Sequence, residues 1–113
     1  MTMYLISFPS GVMEVADGDW DNVVVESHAV VEEAKAAGVY VFGGGIEESV
    51  DAVRVAADGT VTEDTYPQTK VFNGGMTILN LPDREAAVEW AARIAKACRC
   101  KQELREFQYD EAS

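Results

Sequence analysis

Positive charge is scarce in this chain: nine Lys and Arg stand against twenty Asp and Glu, a formal net charge of −11. Nucleic acid is gripped through clustered Lys and Arg, so it is not an expected partner. An anionic membrane surface is disfavoured on the same ground, and no stretch approaches the roughly 20 consecutive apolar residues of a spanning helix. The acidic surplus reads as a solubilising, self-repelling surface. Histidine occurs once, at His28, and cysteine twice, at Cys98 and Cys100. A protein-only zinc site needs four ligands and is not expected from this set, nor is any cofactor. A bridge between cysteines separated by one residue would be strained, so both read as free thiols of a reducing compartment. The opening Met1-Thr2-Met3-Tyr4 lacks the charged start and apolar core of a secretory leader, which makes the cytoplasm the expected location.

What remains is an ordinary globular composition. The 113 residues are 48% hydrophobic, enough for one domain that buries about two thirds of its unfolded surface without disulfide or metal staples. The domain is expected over residues 1–109, with a disordered tail at 110–113.

The chain is organised around the stretch Asp58–Leu81, which begins in a turn signal, crosses a polar loop and ends in a strand. Before it, Met3–Pro9 reads as a buried first strand. Ser10–Asp21 reads as a loop. From about Asn22 to Ala37 the apolar spacing is helical, with Asp19, Asp21 or Asn22 available as cap and Gly38 as stop. Val39–Phe42 reads as a second buried strand, and the run Gly43-Gly44-Gly45 bends it or lets another backbone come close. Ala52–Ala57 alternates, Asp58-Gly59 is a two-residue hairpin signal, and Thr60–Thr62 is the return. Glu63–Asn73 is a loop. Met76–Leu81 is apolar on both faces, the mark of a strand inside the sheet. Asp83 is placed to cap a second helix whose stripe runs Ala86, Ala87, Trp90, Ala91, Ile94 and Ala97. Cys100–Tyr109 alternates as a closing strand.

Two strand–helix–strand halves of this kind specify an α+β, ferredoxin-like antiparallel sheet with both helices on one face. The other face is then an exposed apolar surface, and the simplest cover for it is the same face of a second copy, giving a homodimer.

Several short runs also resemble the YCII-related proteins, in the branch named for an Asp-Gly-Pro-Phe motif. They are Gly38–Gly45, Val53-Arg54-Val55, Glu63-Asp64-Thr65-Tyr66, Thr69-Lys70, Gly74-Gly75 and the stretch from Ala86 to Ile94. The resemblance spans about Met3 to Phe107 and implies a dimeric α+β barrel. It departs where Glu63-Asp64-Thr65-Tyr66 replaces the name-giving motif, and where Gln68 and Val71 replace glutamates around Thr69-Lys70. It further implies a His on the first helix paired with an Asp after the second helix's Trp-Ala. His28 matches the first of these, whereas Ile94 occupies the place of the second.

Histidine is the one side-chain type that titrates near neutrality unperturbed, which makes His28 the candidate catalytic base. The plainer reading is a half-buried imidazole bonded to a backbone carbonyl. Asp64 is the carboxylate best placed in sequence to orient it, or is simply one solvated acid among twenty. Tyr66 and Lys70 are candidate substrate-binding residues, the first as a pocket wall and the second as an anchor for an anionic group; otherwise they are packing and surface. Trp20 is a candidate lid. The expected function is an uncharacterised small-molecule-binding or degenerate-enzyme homodimer, with a cleft near His28 and the loop 63–70. The alternative is a cofactor-free lyase or isomerase using His28 on a small organic anion.

Overall fold

Six strands, two α-helices and a single 3-10 turn at Pro67–Thr69 make up the computed structural model, which describes residues 1–112. In chain order the strands and α-helices are β1 (Thr2–Phe8), α1 (Trp20–Ala36), β2 (Tyr40–Gly45), β3 (Arg54–Val55), β4 (Val61–Thr62), β5 (Gly75–Leu81), α2 (Arg84–Cys98) and β6 (Glu103–Glu106). The main sheet is antiparallel in the order β2-β5-β1-β6. Each helix connects two strands that have a third strand between them. This α+β arrangement is compatible with the ferredoxin-like plan.

The alternation of β1 and β5 divides the sheet into two faces. Tyr4 lies opposite Leu79 and Thr2 opposite Leu81, and Tyr4, Ile6, Leu79 and Leu81 are at most 2% exposed. Ala34 of α1 and Ala87 and Ile94 of α2 close over them, with Trp90 and Leu104 at the margin. Both helices therefore cover the face that carries these residues. Small residues on the helices let the layers approach closely, while Leu and Ile on the strands supply the buried area.

Helix ends follow local chemistry. Asp83 caps α2, its Oδ1 accepting from the Ala86 amide at 2.8 Å. Asp19 is the N-cap of α1 by position but does not cap with its side chain, which instead accepts from Arg99 and Asn22. Arg99 ends α2 in the left-handed conformation, with φ of 60°, and its guanidinium donates to Asp19, Glu26 and the carbonyls of Lys96 and Ala97. That set of bonds offsets the roughly 1–2 kcal/mol such a backbone costs.

Several sequence expectations need correction. β2 is an edge strand, and Val41 and Phe42 are exposed rather than buried. The triple glycine pairs with β5, so the strand continues to Gly45, beyond the expected limit at Phe42. The closing strand is only four residues long, with one further backbone bond from the Phe107 amide to the Met3 carbonyl of β1 at 3.0 Å. The expected hairpin forms, but its turn is centred one residue earlier, on Ala57-Asp58, with the Gly59 amide donating to the Ala56 carbonyl at 2.9 Å and Asp58 Oδ1 accepting from the Thr60 amide at 2.9 Å. It forms its own two-stranded sheet, outside the main one. In the tail, residues 110–112 are exposed and Ser113 lies outside the described residues.

The hairpin and its flanks form an arm between β2 and β5. The radius of gyration is 16.0 Å, against about 13 Å for a compact chain of this length, so the arm projects from the body. It leaves Val50, Val55, Val61, Tyr66, Val71 and Phe72 exposed.

Candidate functional site

The helix-covered face of the sheet changes character along its length. Toward one end it carries Tyr4, Leu79 and Leu81. Toward the other, the same rows carry Gly43, Gly45, Gly75 and Thr77, whose small side chains leave a gap beneath α1 and α2.

A β-bulge creates this gap. Tyr40 pairs with Leu79 and Phe42 with Ile78, so Val41 is one residue in excess. The extra residue reverses the phase of the strand. Phe42 turns to the open face, and Gly43 and Gly45 turn toward the helices. Without the bulge the phenyl ring of Phe42 would point into the gap. Two aromatic groups use the space over the glycines. A Cβ on Gly75 would lie 2.9 Å from the Phe8 ring, and one on Gly43 would lie 2.9 Å from the Tyr40 hydroxyl.

The resulting cleft has two connected parts that share Ser27, Val31, Tyr40, Thr77, Ile94 and Cys98. The inner chamber is about 70 Å³ and is walled by Val30, Ala34, Leu79 and Trp90. The outer part is about 460 Å³ and is bordered by His28, Phe8, the glycines and Gln102. Burial pushes the Cys98 thiol up, with the neighbouring Cys100 adding to the effect, so Cys98 is a poor nucleophile at neutral pH. Gln102 lies two positions before Leu104 on the row that faces the helices. Its Nε2 points at the Cys100 carbonyl at 3.4 Å, and its Oε1 is buried with no donor from the protein.

His28 stands at the rim of this cleft, solvent-exposed. Ile94, where the resemblance implies an acidic partner for it, lines the same cleft. With isoleucine there the wall opposite is apolar. Among the described residues no Asp or Glu lines either part of the cleft.

The other sequence candidates lie elsewhere. Asp64 receives both Nε and Nη2 of Arg54, the second at 2.9 Å. The Arg54 guanidinium also sits 5.3 Å from the centre of the Tyr66 ring. These contacts hold the loop 63–70 within the arm, where Tyr66 and Lys70 border a separate concavity with Val53, Val55 and Phe72. Trp20 is the first residue of α1 and is exposed; it lines neither part of the cleft. Within one chain, then, His28 is not brought together with Asp64, Tyr66, Lys70 or Trp20. Sequence reasoning missed Ser27, Tyr40, Thr77 and Gln102. The glutamine carried a signal, as a polar residue on the row of a strand that otherwise points inward.

Among the described residues no three His, Cys, Asp or Glu side chains gather as a metal site, and no helix is long and apolar enough to cross a membrane. No protein-family model matches the chain, and no curated protein matches it.

Proposed function

We propose that the protein binds a small molecule in the glycine-floored cleft and works as a homodimer of YCII-like type, a binding module or degenerate enzyme of the cytoplasm. The observation that carries the reading is the bulge at Val41, which clears a cleft of two parts where the helix-facing rows would otherwise be filled. A core collapses onto empty apolar space unless something holds it open, and here a shift in strand register does so. Apolar walls with a few convergent polar groups are the usual composition of a ligand site. The two unpaired cysteines accord with a reducing compartment.

Self-association is supported by the open face of the sheet. Leu5, Ile78 and Phe42 point away from the helices, and the apolar segment Val71-Phe72 lies beside them. A second copy covers such a face most simply.

The second reading, a cofactor-free lyase or isomerase with His28 as base, has the position of His28 on the cleft rim in its favour. Among the described residues it lacks an acidic side chain in the cleft to orient the imidazole. The isoleucine at position 94 favours binding over catalysis.

Substituting Gly45 tests the cleft. A Cβ there meets only the Gly74 carbonyl oxygen, at 3.6 Å, so Gly45→Val is a bulky substitution at a position with room for its first carbon, and it narrows the outer part. Screening a small-fragment library by NMR should give amide shifts at Ser27, Thr77 and Gln102 that Gly45→Val abolishes. Hits confined to other surfaces would overturn the proposal. If a reaction is found, loss of turnover with retained binding in His28→Ala would decide for the enzyme.

A further inference from the structure

We infer that the arm of one copy cradles the segment Phe107–Glu111 of a second copy, with Tyr109 seated among the arm's apolar side chains and Asp110 and Glu111 beside Lys70. The inference rests on the homodimer proposed above and specifies which surfaces meet beyond the open face.

The arm is an unfinished surface. β3 and β4 are two residues long and pair only with one another, and an isolated two-stranded ribbon is marginal in water. Val53, Val55, Tyr66 and Phe72 are exposed there, around a concavity of about 500 Å³. Apolar side chains gathered in this way mark a contact surface.

Charge names the occupant. Acids outnumber bases by twenty to nine in the chain, yet the concavity is lined by two cations, Arg54 and Lys70, and by no acid. Arg54 is taken by Asp64, whereas among the described residues Lys70 makes no ion pair. A segment that is both aromatic and acidic complements this surface. The run Phe107-Gln108-Tyr109-Asp110-Glu111 has that chemistry and is exposed throughout. Tyr109, at 87%, is more exposed than any other large apolar side chain described.

Reach excludes the chain's own arm. The Phe107 amide donates to the Met3 carbonyl at 3.0 Å, near the start of β1. The arm leaves the sheet at Gly45 and returns at Gly75, which lies opposite Phe8 at the other end of β1. Met3 and Phe8 are about 16 Å apart at ~3.3 Å per strand residue. Tyr109 lies two residues beyond Phe107, about 7 Å of extended chain. β6 is antiparallel to β1, so the chain is also heading away from the arm as it leaves the sheet.

Symmetry brings the two together between copies. Val71 and Phe72, on the returning limb of the arm, border the open face on its β6 side, across a hollow from Leu5, Glu103 and Arg105. Phe72 also walls the concavity. A two-fold axis that lies between two open faces and crosses the strands sets β6 over β6 in the opposite sense. The tail end of each sheet then lies over the arm end of the other, and both copies make the same contact.

Charge reversal tests the contact, by sedimentation equilibrium of Lys70→Glu, of the double variant Asp110→Lys with Glu111→Lys, and of their equimolar mixture. At low salt each variant alone should dimerise at least about 10-fold more weakly than the wild type, and the gap should narrow at high salt. The mixture should regain the wild-type affinity, because both contacts of the mixed dimer again join opposite charges. Weakening by the tail variant is the telling result. It makes the chain less acidic than −11, so general self-repulsion by itself would strengthen that dimer. Tyr109→Ser, which removes the aromatic ring from an exposed position, should weaken association by roughly 5–10-fold. A dimer that the charge variants or Tyr109→Ser leave unchanged, or variants that do not recover on mixing, would overturn the inference and leave the open-face dimer standing. A wild type that is monomeric at tens of micromolar would overturn both.

Discussion

Arg99 donates from Nε to Oδ2 of Asp19 at 2.9 Å, tying the end of α2 to the start of α1 across a sequence separation of 80. The same guanidinium reaches Glu26 Oε2 at 2.8 Å, immediately before the cleft residues Ser27 and His28. The position of α1 over the glycine floor thus depends on a cation at the far end of the chain.

That relationship has a pH signature. Hydrogen bonds from Arg99 first, and Asn22 second, hold the Asp19 carboxyl below the usual carboxylate range. The native state therefore binds this proton less tightly than the unfolded chain. The stabilisation is fully present above the unfolded carboxylate value of about 4 and is lost as pH falls through the lower folded value. Asp19→Asn should lower the thermal midpoint at pH 7, and its gap from the wild type should close as pH is lowered toward 3. A gap that is constant with pH would exclude the ion pair as its cause.

Gly74 is the least replaceable glycine. Its φ is +92°, and a Cβ there would lie 2.0 Å from the Phe8 carbonyl oxygen. Gly74→Ala should cost at least about 2 kcal/mol in urea unfolding. Gly45→Ala, with room for a methyl, should stay within about 0.5 kcal/mol of the wild type. Similar losses for the two would show that strain at position 74 is relieved by backbone movement.

Dimerisation through the open face is checked by light scattering, which should give about twice the 12.3 kDa chain mass. Ile78 points to that face, opposite Leu5, so Ile78→Lys should yield a folded monomer. A wild type that is monomeric at tens of micromolar, or an unaffected dimer in Ile78→Lys, would remove this surface from the interface.

Cys98 should alkylate slowly. Burial raises its thiol pKa, which lowers the thiolate fraction at neutral pH. With iodoacetamide at pH 7.5, mass spectrometry should find Cys98 modified well behind free cysteine, with the rate still climbing beyond the ordinary thiol range near 8.5. A rate at pH 7.5 equal to that of free cysteine would contradict this.

The elements were legible in the sequence because each is encoded by neighbours. The α2 stripe from Ala86 to Ala97 and its cap at Asp83 could be read at helical spacing, and Met76–Leu81 could be read as central because both of its faces are apolar. The site was less legible. His28 could be singled out as the sole histidine, but its neighbours could not: Thr77 reaches the cleft from β5 and Gln102 from the residue before β6, on opposite sides of β1. Asp64 looked like a partner for His28 only while the hold of Arg54 on it was unknown.

Composition and periodicity by themselves determined an acidic α+β domain, the order of its elements and the burial of β1 and β5, since these follow from residue type and spacing along a few turns of chain. Tertiary structure alone decided that a cleft exists. One surplus residue at Val41 sends Phe42 outward and the glycines inward, and strand register is a property of two strands together, so no single stretch of sequence records it.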